Sequence, residues 1–255
     1  MKITKHISFY FLPDRIIYIN NIIDETNKYE CTTDIFIHTN VDLKESIFNN
    51  YSNGCIKIIY HDLSNIHPFY LTWKCRDLLQ QQQNDYDIFM YIEDDILVPY
   101  KAIKYWLEYN EKLIEMNCNL GFVRIEVDDN IEYITDLPGI KFDTIINLDG
   151  KKYCVNNKNP YCAFWIYNKN EFNKFVNSNY YDINNITNYG IREQSAIGLH
   201  GNCTNWYKDT LIPIIDNKLI EACKIYHMPN NYAVNKYICY ASIKFDEAIK
   251  FDEAI

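Results

Sequence analysis

An α/β fold with a mainly parallel central sheet is what this sequence predicts, and three observations carry that expectation. Strand-like apolar runs alternate with segments of helical periodicity, the pattern of helices laid against a sheet. The run within Asp87 to Ile92 is continuously apolar after its first residue, as suits a strand buried on both faces. It leads directly into three acids, Glu93, Asp94 and Asp95. Ligand sites of open α/β sheets lie at the carboxyl ends of strands, where these acids fall.

The elements follow in order. Ile7 to Leu12 reads as a first strand. Arg15 to Lys28 reads as a helix, with Ile16, Ile19 and Ile23 on one stripe. Asp34 to His38 and Ile56 to Tyr60 are the second and third strands. Pro68 suits the first position of a helix and opens one that runs to Gln83. Asp87 to Ile92 is the fourth strand, and Lys101 to Glu115 an amphipathic helix. Leu120 to Val127, Ala163 to Tyr167 and Leu219 to Tyr226 read as further strands. Glu171 to Val176 and Glu193 to Leu199 read as short helices. No linker or break in composition divides the chain, so residues 1–243 read as one domain. Residues 244–255 carry KFDEAI twice, Lys244 to Ile249 and Lys250 to Ile255. Two copies are too few for a solenoid, and the tail is expected to be disordered or loosely helical.

Composition excludes several classes. The chain has 255 residues, is 48% hydrophobic and carries a net charge of -9. That charge argues against a nucleic-acid binder, which depends on phosphate attraction. The nine cysteines are scattered without a CxxC pair, so no structural zinc is expected. No window approaches the roughly 20 apolar residues that span a bilayer. The apolar run in MKITKHISFYFLP is too short and too polar-flanked for a signal peptide. Reduced thiols in the cytoplasm are the expectation.

The acids carry the chemistry. Adjacent carboxylates repel, and burying them costs roughly several kcal/mol unless a cation or hydrogen bonds compensate. The expected compensator is a hard divalent ion, Mn2+ or Mg2+, bound through carboxylates and shared with substrate phosphates. The alternative is a solvated acidic turn after a core strand. Elsewhere, Arg124 and Glu126 share one face of a strand and are placed to pair or to line a cleft. His6, His38, His61 and His67 carry no local signal.

The order of elements, with an apolar strand running into the acidic triplet, resembles a GT-A fold glycosyltransferase. More specifically, HPFYLTWKCRDLL, YIEDDILVP, GFVRIEV, NPYCAFWIY, IREQSAIGLH and YHMPNNY are similar to uncharacterised GT-A-like proteins of bacteria and giant viruses. The resemblance implies a Rossmann-like nucleotide-sugar-binding fold and sugar transfer from a UDP- or GDP-sugar to a glycan or other hydroxyl acceptor. It implies a DXD motif, here Glu93, Asp94 and Asp95, with Glu93 in place of the usual first Asp. Asp95 then becomes the direct metal ligand, and Glu93 faces the ribose or a metal-bound water. Asp94 is expected to point the other way on an extended chain. Arg76, with Lys74 as its alternative, is expected to hold a donor phosphate. Glu193 resembles the family's catalytic base, although Gln194 follows where an Asp is usual. A base there implies inversion. His227 matches the late metal ligand by order, with His200 its rival. Trp165 and Arg192 are the candidate acceptor-binding residues.

Two other classes compete. One is a catalytically inactive GT-A-like module that binds a glycan or a partner. The other is a nucleotidyltransferase, which usually has a glycine-rich basic loop after the first strand. Here Pro13, Asp14 and Arg15 follow it without glycine.

Overall fold

The computed structural model describes residues 1–137, 139–185, 190–199, 204–235 and 243–250. The chain divides into two compact units, residues 1–100 with 163–199, and residues 101–162 with 200–255. Both are built on sheets, and the first is an α/β unit with a largely parallel sheet compatible with a Rossmann-like arrangement.

The first unit contains strands β1 (Lys2–Phe9), β2 (Thr32–Thr39), β3 (Ile56–Tyr60), β4 (Ile88–Glu93) and β5 (Phe164–Asn168), in the order β5-β4-β1-β2-β3. The first four run parallel, and β5 is antiparallel to β4. Helix α1 (Ile16–Thr26) buries Ile19 and Ile23 of the expected stripe together with Ile22, while Ile16 is only half-buried. The segment expected as one helix from Pro68 to Gln83 is two: a 3-10 turn, Pro68–Trp73, and helix α2 (Arg76–Gln81). Pro68 does open the first of them, and His67 caps it by accepting the Phe69 amide. Helix α3 (Lys169–Val176) starts on a capping box made by Asn168 and Glu171. Helix α4 (Ile191–Ser195) follows Gly190 and is shorter than expected.

β1 is central and buried on both faces, yet only one face is apolar. Ile3, Ile7 and Phe9 share their face with Lys5, whose ammonium donates to Thr26 Oγ1 at 2.6 Å and Tyr29 OH at 3.0 Å. Burial lowers the Lys5 pKa to about 7. The other face presents Thr4, His6 and Ser8.

From His6 a chain of imidazoles crosses the sheet. His6 Nε2 meets Gln82 Oε1 at 3.0 Å, His6 Nδ1 meets His38 Nε2 at 2.9 Å, and His38 Nδ1 meets His61 Nε2 at 2.9 Å. Neutral rings satisfy this chain in one polarity, every Nε2–H donating and every Nδ1 accepting. These histidines carry no signal in the sequence, because register alone brings them together. Burial lowers the His6 pKa to about 3 and holds His38 well below the ordinary value. Burial and the Lys74 charge lower that of His61. Unfolded, each titrates near pH 6.5. The unfolded chain therefore takes up protons that the folded one refuses, so stability is full above pH 6.5 and is lost on acidification. For His6 alone the loss is about 2 kcal/mol by pH 5. The urea midpoint is expected to fall steadily between pH 6.5 and 5, above the range where ordinary carboxylates titrate. A midpoint that stays flat across that window refutes the neutral chain.

The second unit holds helix Tyr100–Glu115 from Lys101 onward, together with two small mixed sheets. One orders Lys218–Leu219, Asp209–Ile215, Lys151–Val155 and Ile145–Leu148, with Cys118–Leu120 parallel to Asp209–Ile215. The other orders Ile243–Lys244, Ile131–Ile134, Val123–Asp128 and Lys224–His227. The strand expected from Leu120 to Val127 is thus two strands in two sheets, broken at Gly121, whose N–H donates to Leu211 O at 2.8 Å. The first KFDEAI copy is ordered, contrary to expectation. Lys244 ends a strand, Phe245 and Ala248 are buried, and Ile249 bridges Phe142. Phe and Ala three residues apart turn inward together from the Phe245–Glu247 turn. Beyond Lys250 the second copy lies outside the described residues.

Candidate functional site

β4 ends at Glu93, and Asp94 and Asp95 form the turn that follows. The alternation of an extended strand therefore stops before them. Asp94, expected to point away, lines a cavity of about 240 Å3 at the carboxyl ends of β1 and β4. Glu93, on the strand face of Ser8 and Tyr91, lines it as well. All three acids are buried.

The sequence reading missed what compensates them. After β1 the chain turns through Pro13–Arg15 and enters α1. This turn presents Arg15, whose Nη2 lies 2.8 Å from Asp94 Oδ1 and 2.5 Å from Asp95 Oδ2. Arg192, at the start of α4, brings its Nε to 3.7 Å from Glu93 Oε2 and stacks over the Phe69 ring at 5.5 Å. The two arginines line the cavity with Glu93 and Asp94, whereas Asp95, expected as the direct metal ligand, is not among the lining residues. Burial and the Asp95 charge push Asp94 well above the usual carboxylate range, against the pull of Arg15. Asp94 Oδ2 and Arg15 Nε are buried without a hydrogen-bond partner among the described residues. The available signal was position: a basic residue just past the first strand sits at the ligand-binding end of such a sheet.

Tyr10 and Phe69 also line the cavity and are 42% and 46% exposed. At this volume the cavity falls below the roughly 300–1,000 Å3 of most small-molecule sites and has room for part of a ligand.

Several expected site residues do other work. Arg76 is 5% exposed, and its guanidinium donates to the backbone carbonyls of Tyr180 at 3.3 Å, Tyr181 at 2.8 Å and Ser195 at 3.1 Å. It stacks over Trp73, Tyr181 and Phe175 at 4.1, 4.8 and 5.0 Å. With its fork spent on carbonyls, Arg76 is an internal tie and not a phosphate ligand. Lys74 is exposed and does not line the cavity. Trp165 is 1% exposed, donates to Ser195 O at 3.2 Å and stacks on Tyr91 and Tyr167. It is core, out of reach of any acceptor. Arg192, expected at the acceptor, instead stands beside Glu93. Glu193 is partly exposed in the first turn of α4, with its Oε1 3.4 Å from Arg192 Nη2.

His227 belongs to the second unit. Its Nδ1 is bonded to Glu126, whose other oxygen accepts the backbone amides of Tyr232 and Ala233, each at 2.7 Å. A carboxylate behind an imidazole is how many metal-ligating histidines are oriented. Glu126 does not pair with Arg124, which binds Asp136 and Thr135 instead. His200 lies outside the described residues. The seven described cysteines are free thiols, and burial pushes Cys75 and Cys154 up to about 12, far from a reactive thiolate.

Among the described residues no three His, Cys, Asp or Glu side chains form a metal-binding group. No described helix is long and apolar enough to cross a membrane. The sequence matches no family model and no curated protein.

Proposed function

We propose that this chain is a metal-dependent GT-A-type glycosyltransferase that moves a sugar from a UDP- or GDP-sugar to a glycan or other hydroxyl acceptor. The observation that carries the reading is one cavity, at the carboxyl ends of parallel strands, lined by acids, two arginines and exposed aromatic rings. Its parts match the parts of a nucleotide-sugar. Tyr10 and Phe69 offer faces to a base. Arg15 and Arg192 offer planar forks to phosphate oxygens. The carboxylates suit a hard cation, since Asp94 and Asp95 supply only oxygen and Asp94 Oδ2 is unsatisfied. Mn2+ and Mg2+ are commonly held by one or two carboxylates, with water and substrate phosphates completing the shell. The absence of a three-ligand protein cage is compatible with that mode.

Asp94 and Asp95 would hold the cation, and Glu93 would serve the ribose or a metal-bound water. When bound, the cation supplies Lewis-acid neutralisation of the charge that grows on the leaving diphosphate. Arg192, beside Glu93 in the cavity lining, would bind and orient the phosphates. Glu193 takes the proton from the acceptor hydroxyl, in a direct displacement that inverts the anomeric carbon.

Calorimetry with UDP and GDP, each with and without Mn2+, tests the reading. Saturable binding strengthened by metal is expected, and Asp95→Ala should abolish the metal effect while the protein stays folded. Binding of neither nucleotide, with metal present, overturns it. Binding without turnover of any nucleotide-sugar would favour the inactive binding module.

A further inference from the structure

We infer that Arg15 is a built-in counter-ion that holds the carboxylates of this site until metal and diphosphate arrive together, so that the two ligands bind cooperatively. The inference rests on the donor-site reading and adds to it a rule for how the site loads.

The geometry shows a cation already seated on the acids. One nitrogen, Arg15 Nη2, touches Asp94 Oδ1 and Asp95 Oδ2 at once. A divalent ion taking oxygens of this pair meets the guanidinium charge at close range, so Arg15 must yield for the metal to enter. Arg15 has the means to do so. A guanidinium carries five donors in a rigid fork, and here two contacts are made from a single nitrogen while Nε has no partner among the described residues. A diphosphate, with oxygens spaced for that fork, is the better acceptor. Arg15 sits on a turn at the head of α1 with its side chain 28% exposed. A change of rotamer suffices to pass it from carboxylate to phosphate without unfolding a strand.

A second observation points to a ligand at the acids themselves. Asp94 is 7% exposed, lines the cavity and keeps Oδ2 unpartnered even with Arg15 in place. Arg15 therefore compensates the carboxylates incompletely, and one buried acceptor oxygen of Asp94 is left without a hydrogen-bond partner among the described residues.

Charge gives the coupling its sign. Glu93, Asp94 and the adjoining Asp95, with Glu193 on Arg192, outnumber the two guanidinium groups of this cluster, so formal negative charge is in excess. A divalent cation alone shifts that balance by two, and so does the twice-negative diphosphate of a nucleotide-sugar. Taken together they leave it unchanged. Each ligand also removes the other's competitor, since the diphosphate draws Arg15 off the acids and the metal frees Arg15 for the diphosphate. Such coupling is reciprocal by linkage.

The test measures two affinities separately, with no turnover involved. Mn2+ alone is titrated by the loss of free-ion paramagnetic signal, and UDP alone by calorimetry, for wild type, Arg15→Gln and Arg15→Met. The expected shifts are opposed: Mn2+ binds about 10-fold tighter to each variant and UDP binds about 10-fold weaker, within the usual span of allosteric coupling. A merely structural role for Arg15 would weaken both. The methionine variant keeps an unbranched stem beside Tyr18 and gives the answer if the glutamine variant does not fold. If wild type binds Mn2+ and UDP but neither variant gains Mn2+ affinity, the counter-ion role is wrong and the donor site stands. If no variant binds Mn2+ even with UDP present, the donor-site reading fails and this inference with it.

Discussion

Arg76→Ala is expected to destabilise the first unit by about 3–5 kcal/mol. The guanidinium donates to three backbone carbonyls and is stacked among three aromatic rings. Burial already pulls its pKa below the ordinary guanidinium value, so the protein tolerates a charge here only because its donors are used. Alanine leaves Tyr180, Tyr181 and Ser195 carbonyls without their donor at about 1–3 kcal/mol for each acceptor left buried and unpaired, with some relief from entering water. The lost ring contacts add to that. Tyr181 also donates its hydroxyl to Arg76 O at 2.5 Å, so the segment at 179–181 and helix α2 are tied in both directions. Arg76→Lys keeps the charge but cannot serve three carbonyls from one plane, and an intermediate loss is expected. Urea unfolding of the two variants measures this. A loss under about 1 kcal/mol in Arg76→Ala, accompanied by weakened UDP binding, would return Arg76 to the phosphate role that its place in the sequence suggested.

Glu193→Gln is expected to lower turnover about a hundred- to ten-thousand-fold while UDP binding stays at the wild-type level. Glutamine keeps the size of the side chain and its hydrogen bonding but cannot take a proton, and losing a general base costs that much in rate. Glu193 is partly exposed and shares the first turn of α4 with Arg192, which reaches Glu93. The proposed base and a residue lining the cavity are thus consecutive in the first turn of α4. Gly190 makes room for the Glu193 side chain, because a Cβ there would come within 2.3 Å of its Oε2. The anomeric proton of the product, read by NMR, must show inversion. A retained configuration, or near wild-type turnover in Glu193→Gln, removes Glu193 from the mechanism.

Much of the first unit was legible in the sequence. The strands at 34–38, 56–60 and 87–92 and the helix from 15 were read within a few residues of their observed bounds. Period-two and period-3.6 patterns are local, and local spacing decides which face of a strand or helix is apolar. The acidic triplet was legible for the same reason, since three charges closing an apolar run announce a strand end. The second unit was less so. Its strands are short, and a segment such as Leu120 to Val127 divides between two sheets without losing its apolar pattern.

What the sequence determined by itself was the class of fold, the parallel run of strands and the place where acids meet the ligand-binding end of the sheet. Only the tertiary structure decided which charge answers which. Arg15 and Asp94 are 79 residues apart, His6 and His38 are 32 apart, and Arg76 and Ser195 are 119 apart. Nothing in local periodicity couples such positions. A basic residue on a helix looks the same whether it faces water, a phosphate or three buried carbonyls. Strand register set the imidazoles in line, the turn after β1 aimed Arg15 at the acids, and close packing against Trp73 and Phe175 took Arg76 out of water. Those long-range contacts, made only when the sheet closes, turned one expected ligand into a structural tie and an unremarked arginine into the counter-ion of the site.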